Sequence, residues 1–207
     1  SFILLLFCVT RELLYQTYDV CLVDVTYEAT EIGIVRDGIL EYSTHTPFGS
    51  FSLAREISSI TKIPLHEAFG YLHTEKPYSF IKALTESQKK AIDNMFEEYT
   101  DRLAGLFHET GDSLSIPRRI SLHTVSSSES LFLDLIEKAA KRSIKITPNI
   151  TVISTELINQ MYEVVKNDSK KTLSTDTALL LSAQFSTPNP NNIHSITYKE
   201  LYCTINI

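Results

Sequence analysis

The chain has 207 residues, of which 43% are hydrophobic and 21% charged, a composition that is ordinary for a globular protein of one domain or two small ones. Its formal net charge of −6 argues against a nucleic-acid binder, because such proteins use lysine and arginine to neutralise phosphates. The cysteines Cys8, Cys21 and Cys203 lie far apart and form no CxxC pair. We therefore expect reduced thiols in a cytoplasmic protein, without disulfides or a metal site.

The most apolar run, FILLLFCV, covers residues 2–9. It is too short to span a bilayer. We interpret it as a buried strand or the end of a helix. The alternative is the core of a signal peptide, but no basic residue precedes the run and no small-residue cleavage site follows it.

Three short segments, residues 20–25, 31–36 and 39–46, are predicted to be strands because each is rich in apolar and β-branched side chains. Asp37-Gly38 separates the second strand from the third and is a dipeptide that favours a tight hairpin turn. Consecutive strands joined by tight turns predict an antiparallel meander.

Helices are predicted after the PFGS sequence at residues 47–50, first over residues 51–60 and then over residues 64–72. The clearest helix begins at Thr85, because Thr85 and Gln88 have the spacing of a capping box. Apolar residues then recur at helical spacing, which predicts that one face of this helix packs into the core: Ile92, Met95, Phe96, Tyr99, Leu103, Leu106 and Phe107.

A further strand is predicted over residues 119–125, and the serines that follow it are expected to cap a helix over residues 131–142. Residues 144–154 look like a strand with a break at Pro148-Asn149. Helices over residues 155–166 and 175–185 and edge strands within residues 193–207 complete the chain. A meander followed by alternating strands and helices predicts an α/β fold with a mixed sheet.

The segment DVTYEATEI, residues 24–32, resembles the second phosphate loop of the actin-like ATPases, whose pattern is D-[IV]-G-x-x-x-T-[DE]-[IV]. The family's next landmark, P-[LI]-G-[GS] before a helix, reads PFGS here, and His66-Glu67-Ala68 stands where the family has a helical Glu-Ala. Over residues 20–185 the sequence therefore resembles the C-terminal lobe of the actin-like ATPase superfamily. Within the superfamily it resembles the pilus-assembly PilM and cell-division FtsA families.

The resemblance implies a ribonuclease H-like α/β lobe, in which a mixed sheet with a three-strand antiparallel meander carries helices on both faces. It implies that residues 20–187 form this lobe, including a helical insertion at about residues 64–112. Residues 1–19 would be an N-terminal segment that ends a preceding lobe, and residues 188–207 a C-terminal tail or edge strands.

The resemblance also implies a set of nucleotide-facing positions, since the family's adenine-and-ribose loop, L-T-G-G-x-x, aligns with LHTVSS at residues 122–127. The Asp24 carboxylate, at a strand end, could hold Mg²⁺ through water, and the Thr30 hydroxyl could contact a phosphate oxygen. The alternative, which we favour, is that Asp24 caps a turn and Thr30 is only a strand residue. The positions, which we interpret as vestigial, are Asp24, Thr26, Thr30, Gly49, Thr124 and Ser126.

Lost glycines are the reason for this interpretation. Thr26 replaces the glycine of the phosphate loop, and Thr124 and Val125 replace both glycines of the adenine loop. A β-branched residue held at positive φ costs about 1–2 kcal/mol, and its Cβ would fill space that a nucleotide needs. The serines at 126–128 lie in no G-x-S-x-G elbow, so no catalytic residue is predicted.

The sequence therefore predicts a scaffold with little or no catalytic activity and no cofactor. The resemblance implies protein partners in a membrane-associated assembly, peripheral to the inner face of the membrane, with type IV pilus assembly as the first choice. It also allows a homo-oligomer and implies no nucleic acid. The alternative is an ATPase of the cell-division type that binds Mg-ATP and whose first lobe is not part of this chain.

Overall fold

A mixed sheet forms the centre of the computed structural model, which describes residues 3, 6, 7, 19–74, 76–108, 116–145 and 147–154. The strand order is β3-β2-β1-β4-β5. Strands β1 to β3 are antiparallel neighbours, β4 is parallel to β1, and β5 is parallel to β4. The predicted meander and the place of the fourth strand in the same sheet are confirmed. The bounds are β1 Val20–Val25, β2 Thr30–Arg36, β3 Ile39–Thr46, β4 Arg119–Thr124 and β5 Asn149–Val152.

Four α-helices lie within the described residues, together with short 3₁₀ helices at Ser79–Ala83 and Ser126–Ser128. The predicted capping box at the start of the longest helix is present. The Thr85 N–H donates to Gln88 Oε1 at 3.1 Å, and the Gln88 N–H donates to Thr85 Oγ1 at 3.4 Å. No described helix combines the length and the apolar character needed to cross a membrane. The α-helices are α1 Ser50–Thr61, α2 Leu65–Leu72, α3 Glu86–His108 and α4 Glu129–Ile144.

One face of the sheet carries these helices. The apolar stripe of α3 is buried as predicted and shares a core with Val23 of β1, Ile32 of β2 and Leu122 of β4. Leu53 of α1 and Phe132 of α4 belong to the same core. This face therefore contains the main hydrophobic core of the described lobe.

On the other face, Ile3 packs against β2. Because side chains alternate along a strand, Glu31 and Gly33 of β2 face away from the core that contains Ile32. The Ile3 N–H donates to Glu31 Oε2 at 3.2 Å, and a Cβ on Gly33 would lie 2.9 Å from Ile3 Cγ1. Ile3 and Leu6 are buried and have helical backbone. Helical residues thus lie on both faces, as predicted, and the first apolar run is helical at its described residues 3, 6 and 7.

One local prediction was wrong, and another was confirmed in part. The strand-like stretch at 144–154 begins later, because Ile144 ends α4, Lys145 is left-handed with φ 56°, and β5 begins at Asn149. Ser128 is the N-cap residue of α4, as predicted, but its side chain makes no capping hydrogen bond, since the Ser128 hydroxyl donates to the carbonyl oxygen of Val125 at 2.9 Å. The elements predicted beyond residue 154 lie outside the described residues, and the domain boundaries stay predictions.

Candidate functional site

The candidate site lies at the edge of the sheet where β1 and β4 end, which we call the loop edge. Parallel pairing of these strands places Asp24 beside His123 and Val25 beside Thr124. The hairpin loop 26–29 follows β1, and the 3₁₀ turn Ser126–Ser128 follows β4. The fold therefore brings the two predicted nucleotide-facing loops to the same edge, although they are about a hundred residues apart in sequence.

The hairpin loop is docked on the first turn of α1. The Ser50 N–H donates to the carbonyl oxygen of Thr26 at 3.1 Å, and the Phe51 N–H donates to that of Tyr27 at 2.8 Å. Gly49 permits this approach, because a Cβ there would lie 2.4 Å and 2.6 Å from the same carbonyl oxygens and 2.7 Å from the Ala29 nitrogen. Amides at a helix start commonly bind anions, but here hairpin carbonyls accept these two hydrogen bonds.

Thr26 closes the hairpin loop on itself. Its hydroxyl donates to the carbonyl oxygen of Ala29 at 2.9 Å and accepts from the Ala29 N–H at 3.0 Å. The expected backbone strain is absent, because Thr26, Thr124 and Val125 are not among the described residues with positive φ. The backbone at these β-branched residues avoids positive φ, so the predicted strain does not arise.

Thr30 is the first residue of β2 and is fully buried. Its hydroxyl donates to the carbonyl oxygen of Phe48 at 2.9 Å and lies 3.0 Å from the hydroxyl of Tyr99, which can then act as the donor. Thr30 therefore links β2 to the PFGS turn and to α3. Its hydroxyl is occupied inside the core.

Asp24 is 1% exposed, and its Oδ1 lies 2.7 Å from His123 Nδ1. Its other oxygen, Oδ2, has no hydrogen-bond partner among the described residues. Burial raises the pKa of Asp24, more strongly than the His123 hydrogen bond lowers it, and the nearby Glu31 raises it further. The expectation that Asp24 caps a turn is wrong, since the side chain pairs with the neighbouring strand. Sequence reasoning missed His123 as its partner, which only the strand register reveals.

Replacing Asp24 with asparagine should change the free energy of unfolding, relative to the wild type, more favourably at pH 7 than at pH 4. The raised pKa means that the folded protein holds the Asp24 proton more tightly than the unfolded chain does. The stability that Asp24 contributes is therefore lost as the pH rises from about 3.8 through the raised pKa, whereas asparagine cannot titrate. Urea unfolding at both pH values measures this. Asp93→Asn, on the exposed face of α3, is the control, and an equal pH dependence in the wild type and Asp24→Asn would contradict the prediction.

The loop after β4 also contains a hydrogen bond between its own side chains. Thr124 is buried, and its hydroxyl oxygen lies 3.3 Å from that of Ser128. Ser126 begins the 3₁₀ turn that leads into α4. The hydroxyls of Thr26, Thr30 and Thr124 thus all have partners within the chain. As arranged, these three hydroxyls are not free to bind Mg-ATP, and Asp24 is 1% exposed. The nucleotide-facing role of these positions stays a prediction.

An aromatic cluster lies beside the loop edge and was not predicted. Tyr27, at the tip of the hairpin, is 51% exposed and has its ring centroid 5.8 Å from that of Phe69 in α2. Phe69 also contacts Phe51 of α1, at 4.8 Å, and His73 at the end of α2, at 4.3 Å. His73 Nδ1 lies 2.6 Å from the Ser127 hydroxyl, and burial lowers the pKa of His73. No local pattern signals this cluster, because its members come from separate elements.

The sheet order, the meander and the covering helices give the described residues the α/β fold of an actin-like lobe, as the sequence resemblance implied. The chain superposes on the structure of a PilM-PilN type IV pilus biogenesis complex with a TM-score of 0.55 and 14% identity, over 89% of this chain and 51% of that one. Ethanolamine utilization protein EutJ from Carboxydothermus hydrogenoformans gives a TM-score of 0.44 and 15% identity, over 64% of this chain and 44% of EutJ.

Apo pSK41 ParM gives a TM-score of 0.43 and 15% identity, over 70% of this chain and 39% of ParM. The chain thus spans about half, or less, of the length of each of these proteins. No protein-family model and no curated protein matches the sequence. At 14% identity, the likeness to the PilM-PilN structure establishes the fold alone.

Proposed function

We propose that the chain is the C-terminal lobe of an actin-like scaffold that works without a bound nucleotide. The observation that carries this proposal is the docking of the hairpin on α1. The Ser50 and Phe51 amides, which would otherwise point at an anion, donate to the carbonyl oxygens of Thr26 and Tyr27 at 3.1 and 2.8 Å. A phosphate could bind there only if the hairpin left α1.

Within this class we propose a role in a membrane-associated protein assembly of the type IV pilus kind, at the cytoplasmic face of the membrane. The likeness to the PilM-PilN complex supports this, since it extends over 89% of the chain. The partners proposed are proteins, including further copies of this chain. No nucleic acid is proposed, in keeping with the net charge of −6.

Calorimetric titration with Mg-ATP should give no binding up to a concentration of about 1 mM. The reason is that the hydroxyls of Thr26, Thr30 and Thr124 and the first amides of α1 are already hydrogen-bonded within the chain. The same samples should release no phosphate from ATP. A dissociation constant in the low micromolar range, lost in Asp24→Ala and kept in Asp93→Ala, would contradict the proposal.

The second candidate is an ATP-binding lobe of the cell-division type. The observation in its favour is Asp24, whose Oδ2 is buried without a hydrogen-bond partner among the described residues. An unpaired buried carboxylate oxygen destabilises a fold, and such groups are often kept for function. The ATP titration decides between the candidates, because only the second predicts binding that depends on Asp24.

A further inference from the structure

The two loops of the loop edge are joined by side chains of α2. Tyr27 at the hairpin tip contacts Phe69, Phe69 contacts His73, and His73 contacts Ser127 in the turn after β4. The contacts form an unbroken series from one loop to the other. We call Tyr27, Phe69, His73 and Ser127 the aromatic clasp.

The side chains at both ends of the clasp are exposed, whereas its middle is packed against α1; the Tyr27 ring has a second neighbour in Phe51, with centroids 6.2 Å apart. Tyr27 is 51% exposed and Ser127 is exposed as well. Phe69, in contrast, packs against Phe51 of α1 with ring centroids 4.8 Å apart. Offset and tilted ring pairs at such distances are favourable beyond their burial. The clasp therefore ties both loops to the α1–α2 pair.

The polar end of the clasp is suited to a neutral histidine. His73 Nδ1 lies 2.6 Å from the Ser127 hydroxyl, while its Nε2 is buried and has no hydrogen-bond partner among the described residues. Burial opposes the charged form of the ring, so the contact with Ser127 is a hydrogen bond between neutral groups. Such a bond holds the loop without help from an ion or a bound ligand.

We infer that α2 acts as an internal clasp that couples the hairpin loop to the β4–α4 turn and keeps the loop edge closed with nothing bound. This inference rests on the proposed function in one respect. Phe69 and His73 bridge the two loops that the resemblance assigns to opposite ends of a nucleotide, and the proposed function is that no nucleotide binds there. A consequence is that a change in one loop is transmitted to the other through α2.

A double-mutant cycle with Tyr27→Ala and Ser127→Ala tests the clasp without any nucleotide. Both changes are at exposed positions, so both variants should fold. Changes at sites that share no partner multiply in the unfolding equilibrium constant. We expect the effect of the double variant on the unfolding equilibrium constant to differ from the product of the two single effects by about threefold or more. A double-variant effect equal to the product of the two single effects would show that the loops are independent and would overturn the proposal.

The same cycle in a His73→Ala background should show no such departure, because the link between the ends is removed. His66→Ala is the matched control, since His66 is exposed on the same helix. A departure that persists in His73→Ala would also overturn the proposal. Binding of ATP in the separate titration would refute the nucleotide-free scaffold and leave the result of this cycle standing.

Discussion

Replacing Gly49 with alanine should lower the free energy of unfolding by about 3 kcal/mol, or prevent folding. The added Cβ would lie 2.4 Å from the carbonyl oxygen of Thr26, 2.6 Å from that of Tyr27 and 2.7 Å from the Ala29 nitrogen. All three are backbone atoms, which cannot rotate away as the end of a side chain can. The hairpin would have to leave α1, which also breaks the hydrogen bonds from the Ser50 and Phe51 amides.

Gly70 and Gly105 provide matched controls for this change. Both are inside helices, and a Cβ at either position would meet nothing within 4 Å. Gly70→Ala and Gly105→Ala should therefore stabilise the chain by about 0.5–1 kcal/mol, because alanine loses less backbone freedom on folding. Urea unfolding of the three variants measures the effect. A loss below about 1 kcal/mol in Gly49→Ala would show that the hairpin is not docked on α1 as described.

Replacing Tyr99 with alanine should cost about 3–5 kcal/mol. Tyr99 is fully buried in the centre of α3, with its ring centroid 5.3 Å from that of Phe48 and 6.2 Å from that of Phe132. Its hydroxyl, 3.0 Å from that of Thr30, connects the core to the start of β2. Truncation would leave a cavity between α3, α4 and the PFGS turn, and would remove the partner of Thr30.

Tyr99→Phe separates the ring from the hydroxyl. It keeps the packing, and the Thr30 hydroxyl can still donate to the Phe48 carbonyl, so the expected loss is about 1 kcal/mol. Glu98→Ala, at the exposed neighbouring position, should change stability by less than about 0.5 kcal/mol. Chemical unfolding provides the comparison. A loss below about 1 kcal/mol in Tyr99→Ala would mean that this face of α3 is a surface and a candidate partner site.

Local sequence patterns determined most of the secondary structure. The Asp37-Gly38 dipeptide predicts a turn with positive φ, and the observed φ angles are 49° and 75°. The apolar period of α3 predicts its buried stripe, and Thr85 with Gln88 predicts its beginning. These signals are readable because each depends on residues a few positions apart, whose spacing reflects the geometry of a single strand or helix.

The partners of the polar groups were decided only by the tertiary structure. Asp24 and His123 are 99 residues apart and meet because β1 and β4 are parallel neighbours in one register. Thr30 is 69 residues from Tyr99, whose hydroxyl it contacts. A shift of one residue in the pairing of β1 and β4 would place Asp24 and His123 on opposite faces of the sheet, and no local pattern encodes the register between distant strands. The sequence alone therefore indicated an actin-like lobe, whereas the packing of distant elements decided whether its phosphate-loop groups face a ligand or each other.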